Sequence, residues 1–178
     1  MGGSPQGRGE RVVLALALGA CVGLAVACAS PVSLEDGRFR SRASGASVAD
    51  LARLEAGWRS KALAGALLAF EATDGARACW IRRCPGAAAP ARAEARAALI
   101  SLRDVAVREE GPVTLAGAEA WQLRATASER GRAVELKLVT RVAEGCTDDF
   151  LLVSPGPLAV HEPAFEAWWG SFEAPRPG

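Results

Sequence analysis

The strongest constraint on the fold is a pattern of alternating apolar and polar residues in the second half of the chain. Residues 121–126 and 134–142 each alternate with a period of two, and a Ser-Glu-Arg-Gly turn at 128–131 separates them. This alternation is typical of strands that bury one face and expose the other. A third run, 150–154, is almost entirely apolar, as expected of a strand covered on both faces. The pattern predicts several consecutive antiparallel strands.

Further strands are predicted nearer the N-terminus. Apolar-rich runs at 64–72 and 77–83 flank a Thr-Asp-Gly-Ala sequence at 73–76. An Asp-Gly pair between two such runs is a strong signal for a β-hairpin. A single strand is also expected around residues 38–42.

Helical spacing appears in two places. Pro90 opens a segment whose apolar residues repeat at helical intervals, namely Ala91, Ala95, Ala98, Leu99 and Leu102. Pro163 opens a second segment with aromatic residues at i, i+3, i+4 and i+7, namely Phe165, Trp168, Trp169 and Phe172. A stripe of this kind is usually buried, although it could also line a ligand groove. Ser47, followed three residues later by Asp50, resembles a capping box and predicts one more short helix.

The first thirty residues carry the pattern of an export signal. Arg8 and Arg11 precede an uncharged apolar run at 12–29, which at 18 residues is at the lower limit for a membrane-spanning helix. The run becomes rich in Ala and Gly toward its end, and Ala-Val-Ala at 25–27 is the kind of sequence that signal peptidases cleave. Cleavage is therefore favoured over a permanent membrane span.

This segment resembles a bacterial lipoprotein signal, in which small residues precede a cysteine that is diacylated and becomes the new N-terminus. Two cysteines compete for this role. Cys21 follows Leu-Gly-Ala, which is closer to the usual sequence, whereas Cys28 leaves a full apolar core before the cleavage point and is followed by Ala-Ser-Pro. The resemblance implies a lipid on Cys28, with Cys21 as the alternative and ordinary cleavage without a lipid also open.

The order of elements predicts an α+β fold in which helices pack on an antiparallel sheet. The 178 residues leave room for one domain after an export signal. We expect a lipoprotein signal peptide at 1–27, a tether rich in Ser, Gly, Asp and Arg at 28–46, and a single α+β domain at 47–178.

A second resemblance concerns the domain itself. Its features are a strand ending at Phe70, a strand running into Cys84, an amphipathic helix, Gly-Ala before a strand, Cys146 followed by Asp149, and a last helix closing on Phe172. With these features the chain resembles small lipoproteins of GC-rich, myxobacteria-like bacteria that carry a PsbP-like α/β/α sandwich. The likeness covers residues 36–173, although Glu-Ala-Gly-Trp at 55–58 lacks the usual proline. It implies a fold and a location at the membrane edge, and no catalytic residue.

The cysteines that remain after cleavage at Cys28 suggest one disulfide bond, since an exported location permits disulfides. Cys84 ends one predicted strand and Cys146 begins another, and we expect these two to be joined. Such a bond would stabilise the fold by about 4 kcal/mol. Cys79 shares a strand face with Ile81 and is expected to be a buried, inert thiol. Three scattered cysteines and one histidine do not have zinc-ligand spacing, so no metal or cofactor is predicted.

Few other residues are candidates for chemistry. His161 is the only histidine, and no GxSxG-type nucleophile turn accompanies it, so a surface or capping role is favoured. Asp148 and Asp149 could bind a cation or act as acid and base. Adjacent strand residues point to opposite faces, however, which favours a structural role for both. No catalytic residue is assigned.

Charge limits the possible partners. Removing Arg8, Glu10 and Arg11 with the signal leaves 19 cationic and 19 acidic side chains, a neutral balance that disfavours nucleic-acid binding. We expect a lipid-anchored protein of the bacterial cell envelope, on the outer or inner membrane, with a structural or binding role rather than an enzymatic one. The alternatives are a periplasmic small-ligand carrier, with an open pocket beside the aromatic helix, and a hydrolase using Asp148, Asp149 or His161. The sequence does not identify a particular protein or small-molecule partner.

Overall fold

The computed structural model describes residues 31–84 and 89–175. The predicted signal peptide at 1–27 and the two candidate lipidation sites, Cys21 and Cys28, lie outside these residues. Within the described ranges, every helix is too short or too polar to cross a bilayer.

The N-terminal strands form a small antiparallel sheet of three strands, in the order β1 (Val32–Glu35), β2 (Arg38–Ser41) and β3 (Ser47–Ala49). The strand predicted around 38–42 is present as β2. Residues 31–46 differ from the expected tether, since they fold into a hairpin that packs on the domain. The physical reason is apolar burial: Val32 and Ala46 are buried, and the ring of Phe39 lies edge-on to Phe70 at 5.8 Å.

A short helix, α1 (Leu51–Leu54), follows β3, but the predicted capping box is wrong. Asp50 caps this helix, because its carboxylate accepts a hydrogen bond from the Ala52 N–H at 3.0 Å. Ser47 instead belongs to β3, where its hydroxyl donates to Glu173 at 3.0 Å. The strand pairing of Ser47 therefore removes it from the helix.

The main sheet has seven antiparallel strands. In spatial order they are β4 (Trp58–Ser60), β5 (Leu68–Ala72), β6 (Arg77–Arg83), β10 (Cys146–Ser154), β9 (Arg132–Ala143), β8 (Ala118–Glu129) and β7 (Arg103–Leu115). The predicted hairpin is confirmed as β5 and β6, where Gly75 adopts a φ of 91° that favours glycine. The three predicted strands of the second half are confirmed as β8, β9 and β10.

The sequence patterns did not predict strand β7. This strand lies at the edge of the sheet, pairs only with β8 among the described strands, and exposes most of its side chains. Two register irregularities, between Arg103 and Ala106 and between Val107 and Glu109, interrupt its pairing. Apolar alternation in β7 is limited to two short pieces, Val105 with Val107 and Val113 with Leu115, which the polar residues between them separate.

Helices cover both faces of the main sheet, which gives the predicted α/β/α arrangement. Helix α3 (Glu162–Gly170) and the small sheet cover one face, over a core that includes Phe70, Trp80, Phe150 and Trp168. Helix α2 (Ala91–Ala98) packs on the other face. There Ala95 and Leu99 contact a second core of aliphatic residues, which includes Leu123, Leu136 and Leu138.

Candidate functional site

A groove lies on the α2 face of the main sheet, where the short helix α2 leaves part of the sheet uncovered. Its volume is about 750 Å³. The side chains of Ala69, Val134 and Val153 give it an apolar floor, and Leu63, which is 43% exposed, stands at its rim. A floor of this kind can bury apolar surface of a partner.

Charged side chains surround the groove. Lys61 donates to Glu71 at 2.6 Å, and this hydrogen bond lowers the pKa of the Glu71 carboxyl. Arg77, at the start of β6, pairs with Glu129 at the end of β8. Two further groove residues, Arg130 and Arg132, are exposed, and within residues 31–84 and 89–175 their side chains form no hydrogen bond or ion pair. The groove therefore combines an apolar floor with two exposed cations, which is complementary to apolar, negatively charged molecules.

His161 lies just before α3, away from Asp148 and Asp149. Its Nε2 is 2.7 Å from a carboxylate oxygen of Asp74, and its ring lies edge-on to Trp58 at 5.2 Å. The Ala76 N–H and His161 both bind the Asp74 carboxylate and lower its pKa. This contact joins the start of α3 to the β5–β6 turn, so His161 has a structural role.

The two neighbouring aspartates point to opposite faces of the sheet, as the strand geometry predicts. Asp148 lies on the α3 face and is fully buried. It accepts hydrogen bonds from Trp80 Nε1 and Arg82 Nη1, both at 3.0 Å, and from Arg141 Nη1 at 3.4 Å. Burial raises the pKa of Asp148, and the charge of Arg82 opposes that rise.

Asp149 lies on the α2 face. It accepts hydrogen bonds from the Thr140 hydroxyl and from Arg83, both at 2.7 Å. Burial raises the pKa of this carboxyl as well, against the hydrogen bond from Thr140. The two aspartates and His161 are therefore held in three separate sets of contacts and do not meet in one cleft.

An ion cluster around the buried Lys137, under α3, was not predicted from the sequence. The side chain of Lys137 is only 4% exposed, and its Nζ is 2.7 Å from Glu162 and 2.5 Å from Glu166. Burial favours a higher pKa for Glu162, but the hydrogen bond from Lys137 and the charges of Lys137 and Arg124 outweigh it and lower the pKa. The apolar alternation of β9 did not predict the burial of Lys137, because Lys137 occupies one of its polar positions. That position is buried only because α3 packs over it.

The C-terminal aromatic residues are core residues. Phe165, Trp168 and Phe172 are buried, and Trp168 Nε1 donates to the Ala49 carbonyl at 3.0 Å. These side chains lie on the α3 face, whereas the groove lies on the α2 face. The aromatic stripe therefore does not line the groove.

The three cysteines within the described residues are placed as predicted. Cys84 and Cys146 form a disulfide bond, and Cys79 is a buried free thiol whose pKa burial raises to about 12. A thiol of this kind is unreactive at neutral pH. In the part of the chain that the structure describes, no group of three or more His, Cys, Asp or Glu residues could hold a metal ion.

Comparisons with known proteins agree with the fold. No family model matches the sequence, and neither does any curated protein sequence. Among solved structures, cyanobacterial PsbP (CyanoP) from Synechocystis is similar with a TM-score of 0.57 and 13% identity, over 88% of this chain and 98% of that one. LpqN of Mycobacterium tuberculosis, described as involved in cell envelope biogenesis, is similar with a TM-score of 0.53 and 19% identity, over 68% of this chain and 80% of that one.

A third similar structure is the protein of unknown function PA94 from Pseudomonas aeruginosa, with a TM-score of 0.52 and 21% identity, over 68% of this chain and 99% of that one. At these identities the similarity is one of fold. The chain therefore has a PsbP-like α+β fold, as its residue patterns and its resemblance predicted.

Proposed function

We propose that this chain is a lipoprotein of the bacterial cell envelope whose PsbP-like domain acts by binding rather than by catalysis. Residues 1–27 direct export, and a lipid on Cys28 anchors the domain to a membrane. The observation that carries the proposal is the Cys84–Cys146 disulfide bond. Such bonds persist in oxidising compartments outside the cytosol, which is where the N-terminal pattern would send the chain.

The charge of the domain supports a lipid as the anchor. The mature part is neutral, so electrostatic attraction would not hold it at an anionic membrane. Acyl chains contribute about 0.8 kcal/mol of membrane affinity per buried CH₂, and two or more of them hold a neutral domain stably. LpqN, which shares the fold, is described as involved in cell envelope biogenesis, and this agrees with the proposed location.

The arrangement of polar residues supports binding rather than catalysis. Asp148, Asp149 and His161 each have structural partners, in separate places. The groove, by contrast, offers an apolar floor, with Arg130 and Arg132 as cations that have no partner within the described ranges. These are the features of a site for a partner or ligand.

Metabolic labelling tests the anchor. Cells that express the full chain are grown with an alkyne analogue of palmitate, and the wild type is compared with Cys28→Ala and Cys21→Ala. We expect Cys28→Ala to abolish labelling and the matched control Cys21→Ala to retain it. Labelling that persists in Cys28→Ala would show that Cys28 is not the lipid site.

A small-ligand carrier is a second candidate function, and the open groove is the observation that favours it. The anionic apolar dye ANS serves as a probe. Because two cations would be lost, the double variant Arg130→Ala/Arg132→Ala is expected to bind ANS about tenfold more weakly than the wild type. Arg53→Ala, at an exposed site on α1 outside the groove, is the control and should bind as the wild type does. Equal binding by all three proteins would exclude the groove as the ligand site.

A further inference from the structure

The proposed lipid site is close in sequence to the folded domain. Residues 29–31 alone separate Cys28 from Val32, the first residue of β1. A chain spans at most about 3.5 Å per residue, so the Cα atoms of Cys28 and Val32 are at most about 14 Å apart. The headgroup region adds only about 5–8 Å to each side of the hydrocarbon core. An anchor at Cys28 therefore holds the start of β1 next to the lipid headgroups.

The structure identifies the surface that surrounds this point. The Arg42 N–H donates to the Pro31 carbonyl at 3.1 Å, which fixes the turn after β2 beside the first described residue. The turn is closed by hydrogen bonds from the Ser41 N–H to Ala46 and from the Gly45 N–H to Ser41, both at 2.8 Å. We name Pro31 and residues 42–45 the membrane-proximal turn.

The chemistry of the membrane-proximal turn fits lipid headgroups. Arg42 and Ala43 are exposed, and the remaining residues of the turn are small or uncharged. Among the described residues, the guanidinium of Arg42 has no hydrogen-bond or ion-pair partner, and the turn contains no carboxylate. Arginine binds phosphate groups with paired N–H donors, so this cation is complementary to the phosphates of a bilayer surface.

We propose that the membrane-proximal turn rests on the lipid headgroups, with Arg42 on a phosphate, and that the short connection to Cys28 fixes the domain in this orientation. The proposal rests on the proposed lipid anchor. The small sheet packs on the α3 face of the main sheet, and the groove opens on the opposite face. Docking of the turn therefore leaves the groove open to the aqueous side, where a partner can reach it.

Site-specific fluorescence quenching tests this orientation. The full lipidated chain carries an environment-sensitive thiol probe, NBD, at Ala43→Cys in the turn or, as a matched control, at Arg130→Cys at the groove. Cys79 is buried and the other domain cysteines are disulfide-bonded, so the introduced thiol reacts selectively. The protein is reconstituted into phosphatidylethanolamine and phosphatidylglycerol vesicles that contain a lipid with a spin-labelled headgroup. We expect the probe at 43 to lose about half of its fluorescence, given its distance from the headgroups, and the probe at 130 to lose none.

The outcomes separate this proposal from the proposed function. Mass spectrometry first establishes whether the reconstituted chain carries a lipid on Cys28, and a chain without lipid would contradict the proposed function and this orientation together. A lipidated, vesicle-bound protein with equal quenching at 43 and 130 would overturn the orientation alone. A flexible Gly-Ser insertion after Ser30 should reduce the quenching at 43 to the level at 130. Unchanged quenching would show that the short connection does not set the orientation.

Discussion

Cys84 and Cys146 are joined by a disulfide bond that connects the end of β6 to the start of β10, across 62 residues of sequence. The two strands are hydrogen-bonded neighbours at the centre of the main sheet, with Thr147 paired to Arg83 beside the bond. The disulfide bond therefore links β6 and β10 at one end, where the two strands are also hydrogen-bonded to each other. Its main effect is expected on the unfolded chain, where it closes a long loop.

Removal of this bond is expected to lower stability strongly. The double variant Cys84→Ala/Cys146→Ala should lose about 4 kcal/mol of unfolding free energy, because the unfolded chain regains loop entropy. Urea unfolding monitored by tryptophan fluorescence measures the loss. Cys79→Ala removes a buried thiol and no bond, and should cost about 1 kcal/mol. Equal losses in the two variants, or free Cys84 and Cys146 thiols in the native exported protein, would contradict the account.

The neighbouring aspartates are expected to differ in their contribution to stability. Asp148→Asn removes the buried counter-charge of two nearly buried guanidiniums, those of Arg82 and Arg141, and should cost about 3 kcal/mol. Arg141 keeps only a 3.9 Å contact with the exposed Glu144. Asp149→Asn is the matched control. Its ionic partner, Arg83, is 49% exposed and can be hydrated instead, so the loss should be about 1 kcal/mol. Chemical denaturation compares the two, and a larger loss from Asp149→Asn would refute this assignment.

Local sequence patterns predicted the central elements of the fold. Strands β8 and β9 show apolar alternation, the second half of β10 is apolar because both of its faces are covered, and the β5–β6 hairpin is marked by its Asp-Gly turn. The patterns failed where burial is partial or elements are short. The edge strand β7 exposes most of its side chains, and the 31–46 segment has the composition of a linker although Phe39 packs it against the domain.

The free energy of unfolding should depend far more on Trp168 than on the adjacent Trp169, although both lie in α3. Trp168 is fully buried and meets Phe70 and Phe150 edge-on at 5.6 and 5.5 Å. Trp168→Ala should therefore cost about 4 kcal/mol of unfolding free energy. Trp169 is only half-buried at the margin of the same core, and Trp169→Ala should cost about 1 kcal/mol. Thermal and urea unfolding of the two variants measure the difference, and similar losses would show that the helix packs through another face.

A pH dependence is expected from the contact between α2 and β7. Arg96 and Arg92 each donate to Glu110 at 2.7 Å, and they lower the pKa of its carboxyl to about 2. A lowered pKa means that the ionised carboxylate stabilises the fold above its ordinary pKa of 4.5, and that this contribution is lost as the pH falls toward about 2.

The variant Glu110→Gln should therefore be less stable than the wild type at pH 7, and the difference should shrink below pH 4.5 and vanish near pH 2. Unfolding curves across this range measure it. Glu109→Gln is the control, since Glu109 is 72% exposed and lies 3.9 Å from Arg124. A difference that stays constant with pH would show that the stabilisation is not ionic.

The candidate site was less predictable than the fold. The disulfide bond followed from the placement of Cys84 and Cys146 at strand ends, which is local information. The groove exists because α2 is too short to cover its face of the sheet, and the burial of Lys137 exists because α3 crosses a polar position of β9. The groove and the burial of Lys137 both depend on how elements that are distant in sequence pack together. A residue pattern within one segment does not predict such packing.

The identity of the mature N-terminus decides whether the chain is an exported, lipid-anchored protein. The protein is purified from the membranes of a bacterium that expresses the full chain, and its N-terminal peptide is examined by mass spectrometry. We expect a peptide that begins at Cys28 and carries a diacylglyceryl group, in a protein whose Cys84 and Cys146 are disulfide-bonded. An intact chain that retains Met1, found in the soluble cytosolic fraction with Cys84 and Cys146 reduced, would contradict it.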